Sequence, residues 1–75
     1  MDMENLVKMA NQIGDFYASY PNQVEASQEI ANHLKKFWAP RMRSQMLEYV
    51  DRQQGAGLSD ILLSSISTHR NILQP

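Results

Sequence analysis

Residues 20–43 read YPNQVEASQEIANHLKKFWAPRMR, and this stretch decides the fold class. Pro21 disfavours helical geometry at Tyr20 and so closes whatever helix precedes it. Asn22, with Glu25 three residues on, is a variant of the capping box, in which side chains satisfy N–H groups that a helix's first turn leaves free. Behind it Val24 (with Ser27), Ile30, Ala31, Leu34, Phe37 and Trp38 recur at helical spacing and predict one apolar face over 23–38. Pro40 forces a break after Trp38. It also suits the first turn of a further helix, where its missing N–H costs nothing.

Working outward, the piece before Pro21 carries Leu6, Met9, Ala10, Ile13, Phe16 (with Tyr17) and Tyr20 at steps of three and four and predicts a helix over 3–19, with Asp2 placed as an N-cap. Gly14 weakens this helix by about 1 kcal/mol relative to Ala and permits close approach of another helix. Downstream, Met42 or Arg43, Met46, Leu47, Tyr49 and Val50 form a shorter stripe over 40–52, ended by the Gly-containing loop Gln53-Gln54-Gly55-Ala56-Gly57. Ser59 is a good N-cap for a fourth helix over 59–73, with Leu58 and Leu63 spaced as a hydrophobic staple. The inner face of that helix is Leu62, Ile66, His69 (or Arg70) and Leu73. Its run Ser64-Ser65, Ser67-Thr68 lowers helix propensity. No piece shows the alternation of a strand. The expected fold is all-α: one domain over 1–75, a small bundle of three to four short helices.

Length and composition narrow the function. The chain has 75 residues, 43% hydrophobic and 20% charged, with a net charge of −1. Below roughly 70–80 residues a single core seldom supplies more than about 3–5 kcal/mol, so such chains need a staple. With no cysteine there is no disulfide, no thiol nucleophile, no iron–sulfur centre and no Cys-based zinc site. A partner surface is then the candidate staple. The acidic start, Met1-Asp2-Met3-Glu4-Asn5, is unlike the basic start of a signal peptide, and no apolar run approaches the ~20 residues of a membrane span. The expected location is the cytoplasm, without membrane attachment.

Charge is divided unevenly. Asp2, Glu4, Asp15, Glu25 and Glu29 face Lys8 alone in residues 1–31, a balance of −4. Lys35, Lys36, Arg41, Arg43, Arg52 and Arg70 outweigh Glu48, Asp51 and Asp60 in residues 32–75, a balance of +3. Four of those bases fall within Lys35–Arg43, around Phe37 and Trp38. This basic, aromatic corner admits three readings: a solvated face with long side chains lying over the rings, phosphate contacts with Trp38 stacking on a base, or a protein interface anchored by Arg and Trp. The neighbouring amides Asn11 and Gln12, beside the apolar stripe, are either solvated or bonded to a partner's backbone.

Chemistry of its own finds few parts. His33 and His69 have no acid or second His at i+3 or i+4, so neither begins a metal site. No Ser stands in a G-x-S-x-G elbow, and Gly55-Ala56-Gly57 has neither the preceding strand nor the following G-K-[S/T] of a phosphate loop. No catalytic, cofactor-binding or metal-ligating residue is assigned.

The strings Lys8-Met9-Ala10-Asn11-Gln12-Ile13, Ile30-Ala31-Asn32-His33-Leu34, Phe37-Trp38 and Pro40-Arg41-Met42-Arg43, in that order, resemble the delta subunit of soluble, NAD-dependent, molybdenum- or tungsten-containing formate dehydrogenase. The resemblance runs from about Leu6 to Val50. Ala39 departs from it, standing where an acidic cap such as Asp is expected before the proline, and the Ser-rich fourth helix departs too. The resemblance implies a non-catalytic accessory subunit that supports cofactor insertion or complex stability. Other subunits would carry bis-molybdopterin guanine dinucleotide, iron–sulfur clusters and FMN, and this chain no cofactor. The implied partners are the catalytic (alpha) subunit and a molybdenum-cofactor insertion chaperone, not nucleic acid. On this reading His33, Trp38, Arg41 and Arg43, flanked by Asn11 and Gln12, form the partner-binding patch. The competing expectations are a small helical nucleic-acid-binding or regulatory protein and a self-associating helical dimer.

Overall fold

Side-chain caps start the first two helices. Asp2 accepts a hydrogen bond from the Asn5 N–H at 2.9 Å and opens α1, Met3–Tyr17. Asn22 accepts from the Glu25 N–H at 3.0 Å and opens α2, Gln23–Phe37. Helix α3, Pro40–Gln53, begins with Pro40 in its first turn and no side-chain cap at Ala39. The computed structural model describes residues 2–75, and among them there is no strand. The protein is all-α.

The turn after α3 needs left-handed backbone. Gln54 (φ 56°), Gly55 (φ 66°) and Gly57 (φ 89°) all adopt positive φ, which two glycines make inexpensive. Tyr49 Oη pins this turn by donating to the Ala56 carbonyl at 2.5 Å.

The fourth helix differs from the expected continuous run over 59–73. Helix α4 spans Asp60–Thr68, His69 leaves helical geometry at φ −108°, ψ 27°, and a last turn, α5, covers Arg70–Leu73. The low propensity of the Ser/Thr run makes a break inexpensive there. The bend lets Leu73 be buried against α2 and α3 while the Arg43 Nη1 donates to the Leu73 carbonyl at 3.3 Å, satisfying an orphan helix-end acceptor. Ser65 within that run is itself buried; its hydroxyl donates to the Ser27 carbonyl at 2.6 Å and ties α4 to α2.

One core joins all five elements: Leu6 and Ala10 from α1, Ile30 and Leu34 from α2, Trp38, Met46 and Leu47, then Leu62 and Ile66 from α4 and Leu73 from α5. Helix α2 is central, packing on α1, α4 and α5. Helix α4 crosses α1 at Gly14, where an added Cβ would overlap the Leu62 Cδ2. The glycine is there for that crossing. Three apolar residues expected on inner faces are instead exposed: Phe16 at 69%, Val24 at 79% and Phe37 at 66%. Val24 sits in the first turn of α2, about a quarter-turn from the buried Ile30–Leu34 face at 3.6 residues per turn. Phe16 and Phe37 have a different cause, which the site makes plain.

Candidate interaction groove

The side of the α1–α2 hairpin away from α4 is not covered. On α1, Met9, Gln12, Ile13 and Phe16 stand at i, i+3, i+4 and i+7, one stripe along the helix. On α2, His33 and Phe37 stand at i and i+4, facing that stripe. Phe37 lies two turns beyond Ile30 and on its side of α2, where helical periodicity places core residues. It is exposed because, among the described residues, no element lies over it. Tyr17, Trp38 and Met42 complete the lining of an open groove of about 660 Å³.

Its rings form a continuous run. Phe16 meets Tyr17 edge-on at 4.9 Å between centroids, Tyr17 lies 6.3 Å from His33, and His33 lies 4.8 Å from Phe37. Edge-on and tilted contacts of this kind fix the rings against one another. The Lys36 Nζ sits 5.6 Å from the Phe37 centroid, bringing a cation onto the rim. Arg41, next to Met42 in the first turn of α3, is exposed.

The six residues expected to form one partner-binding patch are divided by the structure. Gln12, His33 and Trp38 line the groove, and exposed Arg41 is the chain neighbour of Met42, which also lines it. Trp38 is only 6% exposed and belongs to the core, so it supports the groove's floor and is no protruding anchor. Its burial also leaves Trp38 unavailable for stacking on a base. Arg43 is 7% exposed and directed at the Leu73 carbonyl, not outward. Asn11 uses both ends of its amide within the chain: Nδ2 donates to the Gly57 carbonyl at 2.9 Å and Oδ1 accepts from the Ser59 N–H at 2.9 Å. Asn11 therefore holds the start of α4, where Ser59 makes no side-chain cap bond and keeps a buried hydroxyl without a partner.

Met9 and Met42 pack against the core as expected while also lining the groove; Phe16 and Phe37, expected on inner faces, are exposed in it. A signal of the groove was present in α1. Its apolar arc runs from Leu6 and Ala10 round to Met9 and Phe16, wider than one packing face requires. For Arg43 the signal was its place at the head of the stripe Arg43, Met46, Leu47, Val50.

Among the described residues, no three side chains of His, Cys, Asp and Glu converge so as to hold a metal ion, and no helix is long and apolar enough to cross a membrane. What the groove offers is an apolar, ring-lined surface with the Lys36 cation at its rim.

The family model described as NADH-dependent formate dehydrogenase delta subunit FdsD matches residues 5–66. That span includes every residue lining the groove. No curated protein and no solved structure matches the chain.

Proposed function

The chain belongs to the family of NADH-dependent formate dehydrogenase delta subunits, and we propose that it acts as a non-catalytic accessory subunit of an NAD-dependent formate dehydrogenase complex. It docks on the molybdopterin-containing catalytic subunit and supports insertion of the molybdenum cofactor or stability of the assembled form. The observation that carries this reading is the groove between α1 and α2, where Phe16 and Phe37 stay exposed although helical periodicity directs Phe37 inward.

The physics is that of selective binding. A chain that binds only one arrangement of the catalytic subunit shifts its population toward that arrangement by the differential affinity. If the favoured arrangement is the one that accepts or retains the cofactor, formate oxidation depends on this chain without any contact with formate. Trp38 acts from below, as core that fixes the groove floor; Phe16, Phe37 and Arg41 act from above, at the contact.

The test is co-expression of the catalytic subunit with the natural chain, with a Phe16→Ser/Phe37→Ser chain, and with none. Molybdenum per catalytic subunit is measured by plasma mass spectrometry. The natural chain is expected to give the highest occupancy and the double variant to match the sample without it. Equal metal content and equal thermal stability of the catalytic subunit in all three overturn the reading.

A further inference from the structure

Resting on the accessory-subunit reading, we infer that the groove takes one amphipathic α-helix of the partner, apolar along one stripe and acidic along the edge that meets Lys36 and Arg41. Shape is the first argument. The two walls are helical stripes, with Met9 and Phe16 on one and His33 and Phe37 on the other. Helix α4 already seats itself across the other side of the same hairpin, against Gly14 of α1 and Ser27 of α2. Gly14 and Phe16 are about 200° apart round α1, so the groove is a second seat of the same kind on the opposite side. Met9 and Met42 add adaptable side chains of the sort that conform to an apolar helix face.

Charge is the second argument. Among the described residues the ion pairs are Arg52–Glu48 and Arg70–Asp51, both away from the groove. Lys35, Lys36 and Arg41 are in neither pair. The first turn of α3 holds Arg41 and no acid, so the partial positive charge of that helix end adds to the side chains. Glu29 lines an adjoining hollow with Lys36, towards the Tyr17 end. Arg41 and the start of α3 therefore bring positive charge to the Met42 end, away from Glu29, with Lys36 over Phe37 between them, and complementarity puts the partner's carboxylates along that edge.

The experiment replaces Phe37, which is exposed, with the photo-crosslinking residue p-benzoylphenylalanine in the full chain. The chain is mixed with purified catalytic subunit, irradiated, and the adduct mapped by mass spectrometry. The expected adduct lies in a single helical segment with apolar residues at i, i+3 or i+4 and i+7 and acids on one flank. Lys36→Glu with Arg41→Glu is expected to weaken binding of the catalytic subunit roughly a hundredfold, about tenfold for each contact, and reversing the segment's acids to Lys restores it. Co-migration with an adduct in an extended or basic segment, or with affinity indifferent to the charge reversals, overturns this inference and leaves the accessory-subunit reading standing. No co-migration of the natural, unsubstituted chain with the catalytic subunit overturns both. An adduct within a second copy of this chain, with a doubled light-scattering mass, also overturns the inference.

Discussion

Asn11 and Arg43 fasten the C-terminal part of the chain to the first three helices. Asn11 bonds the Gly57 carbonyl and the Ser59 N–H, and Arg43 bonds the Leu73 carbonyl. Asn11→Ala removes the partner of those loop groups and is expected to cost about 0.5–1.5 kcal/mol in urea unfolding; no loss would show that water replaces the amide. Arg43 is different, because its charge is buried and its Nε has no partner. Arg43→Met keeps the packing volume and removes that burden. Stability should stay within about 1 kcal/mol or rise, while hydrogen exchange in α5 quickens; a loss of about 3–5 kcal/mol would mean the guanidinium sits in a well-paired site. The neighbours Phe37 and Trp38 give the sharpest contrast. Trp38→Ala empties the core and should cost about 3–5 kcal/mol, whereas Phe37→Ala at an exposed position should shift thermal unfolding by less than about 0.5 kcal/mol.

Among the elements, α1 and α4 meet closely at Gly14. Gly14→Ala gains about 1 kcal/mol of helix propensity but drives a methyl into the fully buried Leu62. Overpacking of about 1–3 kcal/mol should win. The check is a double-mutant cycle in chemical denaturation with Leu62→Ala: the pair should be less destabilised than the sum of the singles, and additivity would mean the two do not meet. Gly14 was legible as a point of close approach because a glycine inside a helical pattern needs a reason. The helix starts at Asp2, Asn22 and Pro40 were legible because caps and prolines act through local geometry. The break at His69 was not. A Ser/Thr run weakens a helix, but the place where it bends is set by the long-range contacts of Leu73 with α2 and α3. Long range also decided Asn11, Trp38 and Arg43. An amide or a cation beside an apolar stripe has the same local pattern whether it faces solvent or reaches a carbonyl 30 or 46 residues away.

For the whole molecule, the all-α class follows from periodicity and punctuation, and the family is carried by strings that lie within α1, α2 and the start of α3. The groove was beyond periodicity alone. Phe37 has an inward position on α2, and only the packing of the five described helices reveals that none of them covers it. A chain of 75 residues has little core to spare, yet this one leaves two phenylalanines in water. Covering them in a complex would stabilise the chain through mass action, by about 2.7 kcal/mol when the partner stands at a hundred times its Kd. The central claim is that this surface exists to be covered by the catalytic subunit. It is tested most directly by the light-scattering mass of the purified chain mixed with that subunit at micromolar concentration. One complex peak is expected with the natural chain and separate peaks with Phe16→Ser/Phe37→Ser. Separate peaks with the natural chain, or an undiminished complex with the double variant, would contradict it.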